Sequence, residues 1–378
     1  MPTDGFEVRV SFKRLVIGIL VTIVPISLLS IYAVTQSDHE LQGTIGAHFK
    51  VVAESTSQNV ADFIHDRVVE VGTMASEPSL LAAIAAGNDS YRGMSDDAVS
   101  NRIQQIEKTW NEPEAAARVS AMLANEASSW LRRFRDVDRR FLRITVTDGR
   151  GATVAASDKT LDYYQADEDY WQAIYANGRG AVSVTDVLHD DVTNSSYIGV
   201  GVPVLEQGSN RFLGTVDALV DVSSLFGVVN QPHPPLNLRT TLVKDDGSVI
   251  SAPEVDLSMK LNSAEFAAVK DELTTLEGRQ TGYVVTDVTG LGKRVIGFAD
   301  TGLKDDYKNL GWVVLVSEDA QVAFASIRAV GRLTATLGAV GLALAAMFVA
   351  YFSLHRKQPY TDLTEVEEGP PQAEAASS

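Results

Sequence analysis

The sequence predicts an α+β fold built twice in tandem, entered by a long N-terminal helix and flanked by two transmembrane helices. Three observations predict it. Two runs without a charge, 15–34 and 333–354, are each long enough to cross about 30 Å of hydrocarbon as a helix. Between 38 and 75, apolar residues return every three or four positions with no internal proline. From Phe141 onward the pattern changes to strands and turns, and one order of elements occurs twice.

The length of 378 residues allows two or three domains, and 45% hydrophobic with 21% charged residues excludes a disordered or collagenous chain. Net charge is −17, from 32 basic against 49 acidic side chains. That balance excludes nucleic acid as a partner, because phosphate binding needs basic charge to release counterions. Without cysteine there is no disulfide, thiolate metal site or cysteine nucleophile.

The first apolar run is longer than the usual core of a signal peptide, about 7–15 residues, and no small-x-small site follows it, so an uncleaved anchor is expected. Arg9, Lys13 and Arg14 precede the first run, and His355, Arg356 and Lys357 follow the second. The positive-inside rule then puts both termini in the cytoplasm, which makes a two-pass membrane protein with its main region outside. The expected segments are 1–14 cytoplasmic, 15–35 membrane, 36–332 outside, 333–354 membrane and 355–378 a short disordered tail. With +1 before the first span and −3 after the second, the outside region carries −15. The tail is too short and polar to fold alone, so any cytoplasmic output is expected from a separate signalling protein. Ala335 with Ala339, and Gly341 with Ala345, are small residues four apart that would allow a homodimer through the second span.

Within the outside region, 36–140 reads as a helical stalk and insert. Leu41, Ile45, Phe49, Val52, Val60, Phe63, Ile64, Val68 and Val71 give the long helix one apolar stripe. A second helical stretch runs from Asp96 to Phe134, broken near Pro113, a residue that suits a helix start. The first module, 141–230, opens with a hairpin, FLRITVT, the DGRG turn and ATVAAS. A short helix over 166–178 follows, then strands over 181–188, 195–206 and 212–226. The second module, 236–320, repeats this order with TTLVKDDGSVISAP, a helix over 263–276, and strands TGYVVTDV, KRVIGFAD and GWVVLVSED. Pro232, Pro234 and Pro235 lie at the junction, and 321–332 is a linker helix into the second span.

The strand with its D-G-x-G turn, DEDYWQAI, VTDV at 184–187 and GVPVLEQGSNRFLGTVDALVDVSSLF, set in order between two spans, resemble the double-Cache sensors of bacterial chemoreceptors and histidine kinases. That resemblance covers nearly all of 36–332. It implies two PAS-like (Cache) modules, with a small ligand held in the membrane-distal one between its sheet and the loops and helix that cover it. Mapped onto this chain, the implied ligand-binding residues are Tyr164, Asp169, Tyr170, Trp171, Asp186, Tyr197 and Asp221. Family members that bind α-amino acids carry an arginine just before the aromatic pair, to clamp the carboxylate. Here that stretch is Asp167, Glu168 and Asp169. Aspartates with aromatic faces suit instead an amine or other cationic metabolite, through charge-assisted hydrogen bonds and cation–π contacts. The plainer reading of each aspartate is a turn or helix cap, and of each aromatic a core side chain.

Nothing else in the sequence points to chemistry. Six histidines are scattered, and His189 stands beside two carboxylates, at Asp190 and Asp191. RRFRDVDRR reads as a solvated helix face. No phosphate-binding loop, nucleophile elbow or zinc motif is present. The expected protein is therefore a sensor without catalysis, cofactor or metal, which binds a small molecule and signals through its second span. The alternative is a ligand-free envelope adaptor or scaffold using the same fold to hold a protein partner.

Overall fold

The computed structural model describes residues 12–190, 195–231, 238–253, 261–275 and 280–354. The head before residue 12, Asp191, the junction prolines Pro232, Pro234 and Pro235, and the tail 355–378 lie outside the described residues.

Helix α1 (Phe12–Met74) is a single element of 63 residues containing Pro25. Its early apolar stretch is Val16–Ser27. Further on, Phe49, Val52, Val60, Ile64 and Val71 are all buried, so the stripe read from the sequence faces the protein. Each such side chain contributes roughly 1.5–3 kcal/mol by burial. The helical insert is more finely divided than expected. It comprises α2 (Pro78–Asp89), α3 (Asp96–Thr109), α4 (Ala116–Ala124) and α5 (Glu126–Val137). Proline at the first turn starts α2, and the Ser95 hydroxyl caps α3 by accepting from the Ala98 amide.

Asn125 separates α4 from α5 because its carboxamide satisfies two backbone groups at once. Its Oδ1 accepts from the Ser128 amide at 2.7 Å, and its Nδ2 donates to the Val154 carbonyl at 2.9 Å. Asn125→Ala is expected to remove about 2 kcal/mol. That lowers the Tm of the full chain in detergent micelles by about 4–8 °C. An unchanged Tm would show that neither bond contributes.

The first sheet contains β1 (Phe141–Asp148) and β2 (Thr153–Ala156), followed by α6 (Asp169–Tyr175). After α6 come β3 (Ser183–Val184), β4 (Leu188–Asp190), β5 (Ser195–Leu205), β6 (Phe212–Asp221) and α7 (Ser223–Val229). Two readings are corrected here. The strand expected over 181–188 is split, because residues 185–187 leave the ladder and the Asp186 carboxylate accepts from the next amide, Val187, at 2.8 Å. The strand expected over 212–226 ends at Asp221, whose carboxylate accepts from the Ser223 amide at 2.6 Å and turns the chain into α7.

The second sheet has β7 (Arg239–Lys244), β8 (Val249–Ser251), α8 (Ala264–Thr275), β9 (Thr281–Val288), β10 (Gly292–Asp300), α9 (Leu303–Asp306) and β11 (Trp312–Asp319). Two helices follow, α10 (Ala320–Ala323) and α11 (Ala325–Leu354). The linker helix is thus broken at Phe324, where the sequence suggested one piece. Within α11, Gly331–Phe348 has mean hydropathy 1.4 and no buried residue, the composition of a membrane span.

Both sheets are antiparallel and share one strand order, β2-β1-β6-β5-β3 and β8-β7-β11-β10-β9, with β4 also paired to β5. Registers can therefore be compared. Thr145, Asp217 and Gly201 lie side by side across β1, β6 and β5. Thr241, Leu315 and Phe298 hold the same relation across β7, β11 and β10. In the second module this face is filled: Leu315, Phe298 and Ile296 pack with Phe266, Val269 and Leu273 of α8. In the first module it is not.

Candidate ligand-binding site

The unfilled face of the first sheet encloses a cavity of about 260 Å³. Its floor comes from Arg143 of β1, Tyr197 and Gly199 of β5, and Asp217 and Leu219 of β6. The cover is the 160–165 loop with Glu168 and Tyr170 at the start of α6, and Thr185 with Leu188 closes one side. Glycine at 199 and 201 occupies the β5 positions where the second sheet carries Ile296 and Phe298 on β10.

Helix α6 is pinned over the sheet by Trp171. Its indole donates to the Thr147 hydroxyl at 2.9 Å, and Thr147 shares a 2.8 Å bond with the Thr215 hydroxyl. The ring stacks on Tyr175 and meets Phe212 edge-on, with centroids 5.0 and 5.8 Å apart. Beside this anchor, Ile174 lies so close to β5 that a Cβ at Gly201 would stand 2.2 Å from its Cδ1.

Asp217 dominates the electrostatics. It is 8% exposed, and its carboxylate accepts no hydrogen bond from any described residue. Burial pushes its carboxyl up to about 7, against the downward pull of the Arg143 guanidinium. Burial, and then the neighbouring Asp217, also raises the Tyr170 phenol, which donates to Gln165 Oε1. Gln165 in turn donates to Asp162, so a polar chain spans the cover. Asp162 and Glu168 are both raised, first by burial and then by neighbouring carboxylates, with the Gln165 bond opposing the shift at Asp162. Around the cavity three carboxylates face one guanidinium.

Of the seven residues named from the sequence, Tyr170 and Tyr197 line this cavity. Trp171 is the buried anchor of α6. Tyr164 packs beside Val99, Ile103 and Ala152, and its amide donates to Glu107 at 2.8 Å. Asp169 is exposed in the first turn of α6. The Asp221 carboxylate accepts from the Ser223 amide at the start of α7, and Asp186 is held by Lys244 and by Trp312 of β11. Arg143, Asp162, Glu168 and Asp217, which line the cavity, are not among the residues singled out from the sequence. The available signal was a charged residue inside an apolar strand, TVDALV and FLRIT. Because both faces of β6 are covered, residues 214–218 are all buried and alternation does not say which face matters.

A broader groove of about 800 Å³ lies among α2, α3, α4 and α5. Its buried polar groups are already bonded: Thr153 donates to the Tyr163 carbonyl at 2.9 Å, and the Trp110 indole to the Thr160 carbonyl at 3.0 Å. Among the described residues no group of three or more His, Asp or Glu side chains is arranged to hold a metal.

No family model matches the chain, and no curated protein matches it. Among solved structures it is similar to the sensory domain of the Campylobacter jejuni chemoreceptor Tlp3 with isoleucine bound. Identity is 12% and the TM-score 0.49, over 76% of this chain and 97% of that one. The ligand-binding domain of the Pseudomonas aeruginosa PAO1 chemoreceptor PctC in complex with GABA matches at 14% identity and TM-score 0.45, over 72% and 99%. For PctB of the same organism, in complex with L-Gln, the values are 16% and 0.43, over 77% and 98%.

Proposed function

We propose that the chain is a membrane-anchored extracytoplasmic sensor, without catalysis of its own, that binds a small ammonium-bearing ligand in the cavity of its membrane-distal first module. The observation that carries this reading is Asp217, a buried carboxylate facing a cavity without a hydrogen-bond donor of its own. An isolated buried charge is costly, so a site that keeps one is suited to a ligand that supplies the missing partner. The excess of two carboxylates over guanidinium selects for positive charge, and the Tyr170 and Tyr197 rings supply aromatic surface. At about 260 Å³ the space lies below the range of drug-sized sites, roughly 300–1,000 Å³, and suits a small metabolite. An adaptor that needs no ligand would have no use for this cavity, and the filled second module shows that the topology can do without one. The bound state would be read through β11, α10 and the second span, by a separate signalling protein at the membrane.

Thermal unfolding of the full chain in detergent micelles tests this against putrescine, 4-aminobutyrate, L-isoleucine, adenine and succinate. A ligand at about 100 times its Kd stabilises the native state by about 2.7 kcal/mol. Ammonium-bearing compounds are expected to raise the Tm by several degrees and succinate to leave it unchanged. A shift with succinate alone would sink the cation reading, and no shift with any class at high concentration would favour the adaptor.

A further inference from the structure

Asp186 stands beside the cavity and points out of it. Its neighbours Thr185 and Leu188 line the cavity. Thr185 is tied to β5 twice: its amide donates to the Gly199 carbonyl at 2.8 Å, and its hydroxyl accepts from the Gly199 amide at 2.7 Å. The Asp186 carboxylate turns the other way, into the second module. Oδ1 accepts from the Trp312 indole at 3.0 Å, and Oδ2 pairs with Lys244 Nζ at 2.5 Å. Lys244 and Trp312 are directly opposed on β7 and β11, so neighbouring strands present both donors on one face. Trp312 is fully buried, and its carbonyl accepts from both the amide and the hydroxyl of Thr301 at 3.0 Å. Its position is therefore fixed by the second sheet.

We infer that Asp186 is the coupling residue by which the state of the cavity is passed to the second sheet, an inference that rests on the ligand reading above. Thr185 lines the cavity and is bonded to Gly199 of its floor, so a shift of that floor reaches the neighbouring Asp186 directly along the chain. A surface ion pair alone would carry little. Here the carboxylate also holds an indole N–H from a fully buried ring, and both contacts are made or lost together. Such a pair of contacts biases an equilibrium between two arrangements, which is what coupling between sites requires. Beyond Trp312, β11 continues along the chain into α10 and α11. A second tie between the modules, Asn230 Nδ2 to Ser251 Oγ, is 3.4 Å long and involves no cavity residue.

Hydrogen exchange of the full chain in detergent micelles tests the coupling without any ligand. A bound ammonium would neutralise Asp217, and Asp217→Asn imposes the same neutral state. In an otherwise wild-type chain, Asp217→Asn is expected to change exchange across β11 by about threefold or more. Adding Asp186→Ala should abolish that response, whereas adding Asn230→Ala should leave it. Alone, Asp186→Ala should raise exchange at 185–188 and at the start of β11 about tenfold. A β11 response that persists with Asp186→Ala, or that is absent from the otherwise wild-type chain, would overturn the inference. Should Asp186→Ala fail to fold, Lys244→Met keeps the indole bond and should weaken the response by about half, and an undiminished response there also counts against coupling. Failure of every compound in the thermal screen would remove the ligand reading while leaving this cycle interpretable by itself.

Discussion

Asp217→Asn is expected to make the ligand-free protein more stable at pH 8 and to destroy its affinity for cations. The carboxyl titrates near 7 in the folded protein, against an ordinary 3.8. Below pH 4 both folded and unfolded chains hold the proton, and the group contributes nothing. Between pH 4 and 7 the folded state keeps a proton that the unfolded state has lost, so stability falls as pH rises. Above 7 the full penalty is present, about 4 kcal/mol at 1.36 kcal/mol per pH unit. The amide has no charge to bury. Relative to wild type the variant should therefore gain about 2–4 kcal/mol at pH 8 and nothing at pH 4, raising the Tm at pH 8 by roughly 5–10 °C. Equal melting temperatures at pH 8 would show that the carboxylate is not desolvated as described. Cation affinity should fall about 100-fold in the variant, the loss of a charge-assisted bond to a buried carboxylate. In wild type it should weaken about tenfold per unit as pH drops below 7 and level off above it.

Gly297→Val is expected to be among the most damaging substitutions in the second module. A Cβ at Gly297 would stand 2.4 Å from the carbonyl carbon and oxygen of Phe49 and 2.8 Å from the Lys50 amide nitrogen. These are backbone atoms of α1, which cannot rotate away. The flanking Ile296 and Phe298 are buried, so β10 has no room to retreat, and α1 must lift with the loss of Phe49 from the core. The expected cost is about 3 kcal/mol or more, read as a lower midpoint in chemical denaturation. Gly46→Ala is the informative contrast. The atoms it would meet belong to the Tyr283 ring, a 39% exposed side chain that can swing aside. Its cost should stay under about 1 kcal/mol. Similar losses at both positions would mean that α1 is not seated on backbone at Gly297.

Most of the architecture was legible because its signals are local. Asp-Gly turns, alternating strands and a 3.6-residue stripe are each written within a few residues of where they act, and β1, β2, β5 and β9–β11 lie close to their expected bounds. The failures came where a side chain decided the backbone. Asp221 ends β6 by taking the Ser223 amide, and Asp186 pulls its segment out of the ladder. Aspartates at strand ends suit turns as well as ligands, and the position of the next amide is not legible in the sequence. Asp217 was harder still. It sits in a strand covered on both faces, and its importance depends on the bare glycines of β5 opposite, a relation that exists only once the strands are paired.

The two modules differ in how that layer is filled. Where β10 and β11 bring Ile296, Phe298 and Leu315, the first sheet offers Gly199, Gly201 and Asp217, and the second module closes its layer with an Arg294–Glu265 pair 2.9 Å apart. The first module thus leaves part of its own interior open, space that the proposed ligand would fill. An empty cavity should leave this half of the molecule the first to open transiently, and open chains are what proteases of the cell envelope cut. With the proposed ligand, its supply would then set how long each molecule survives, so the amount of the protein would itself record past exposure.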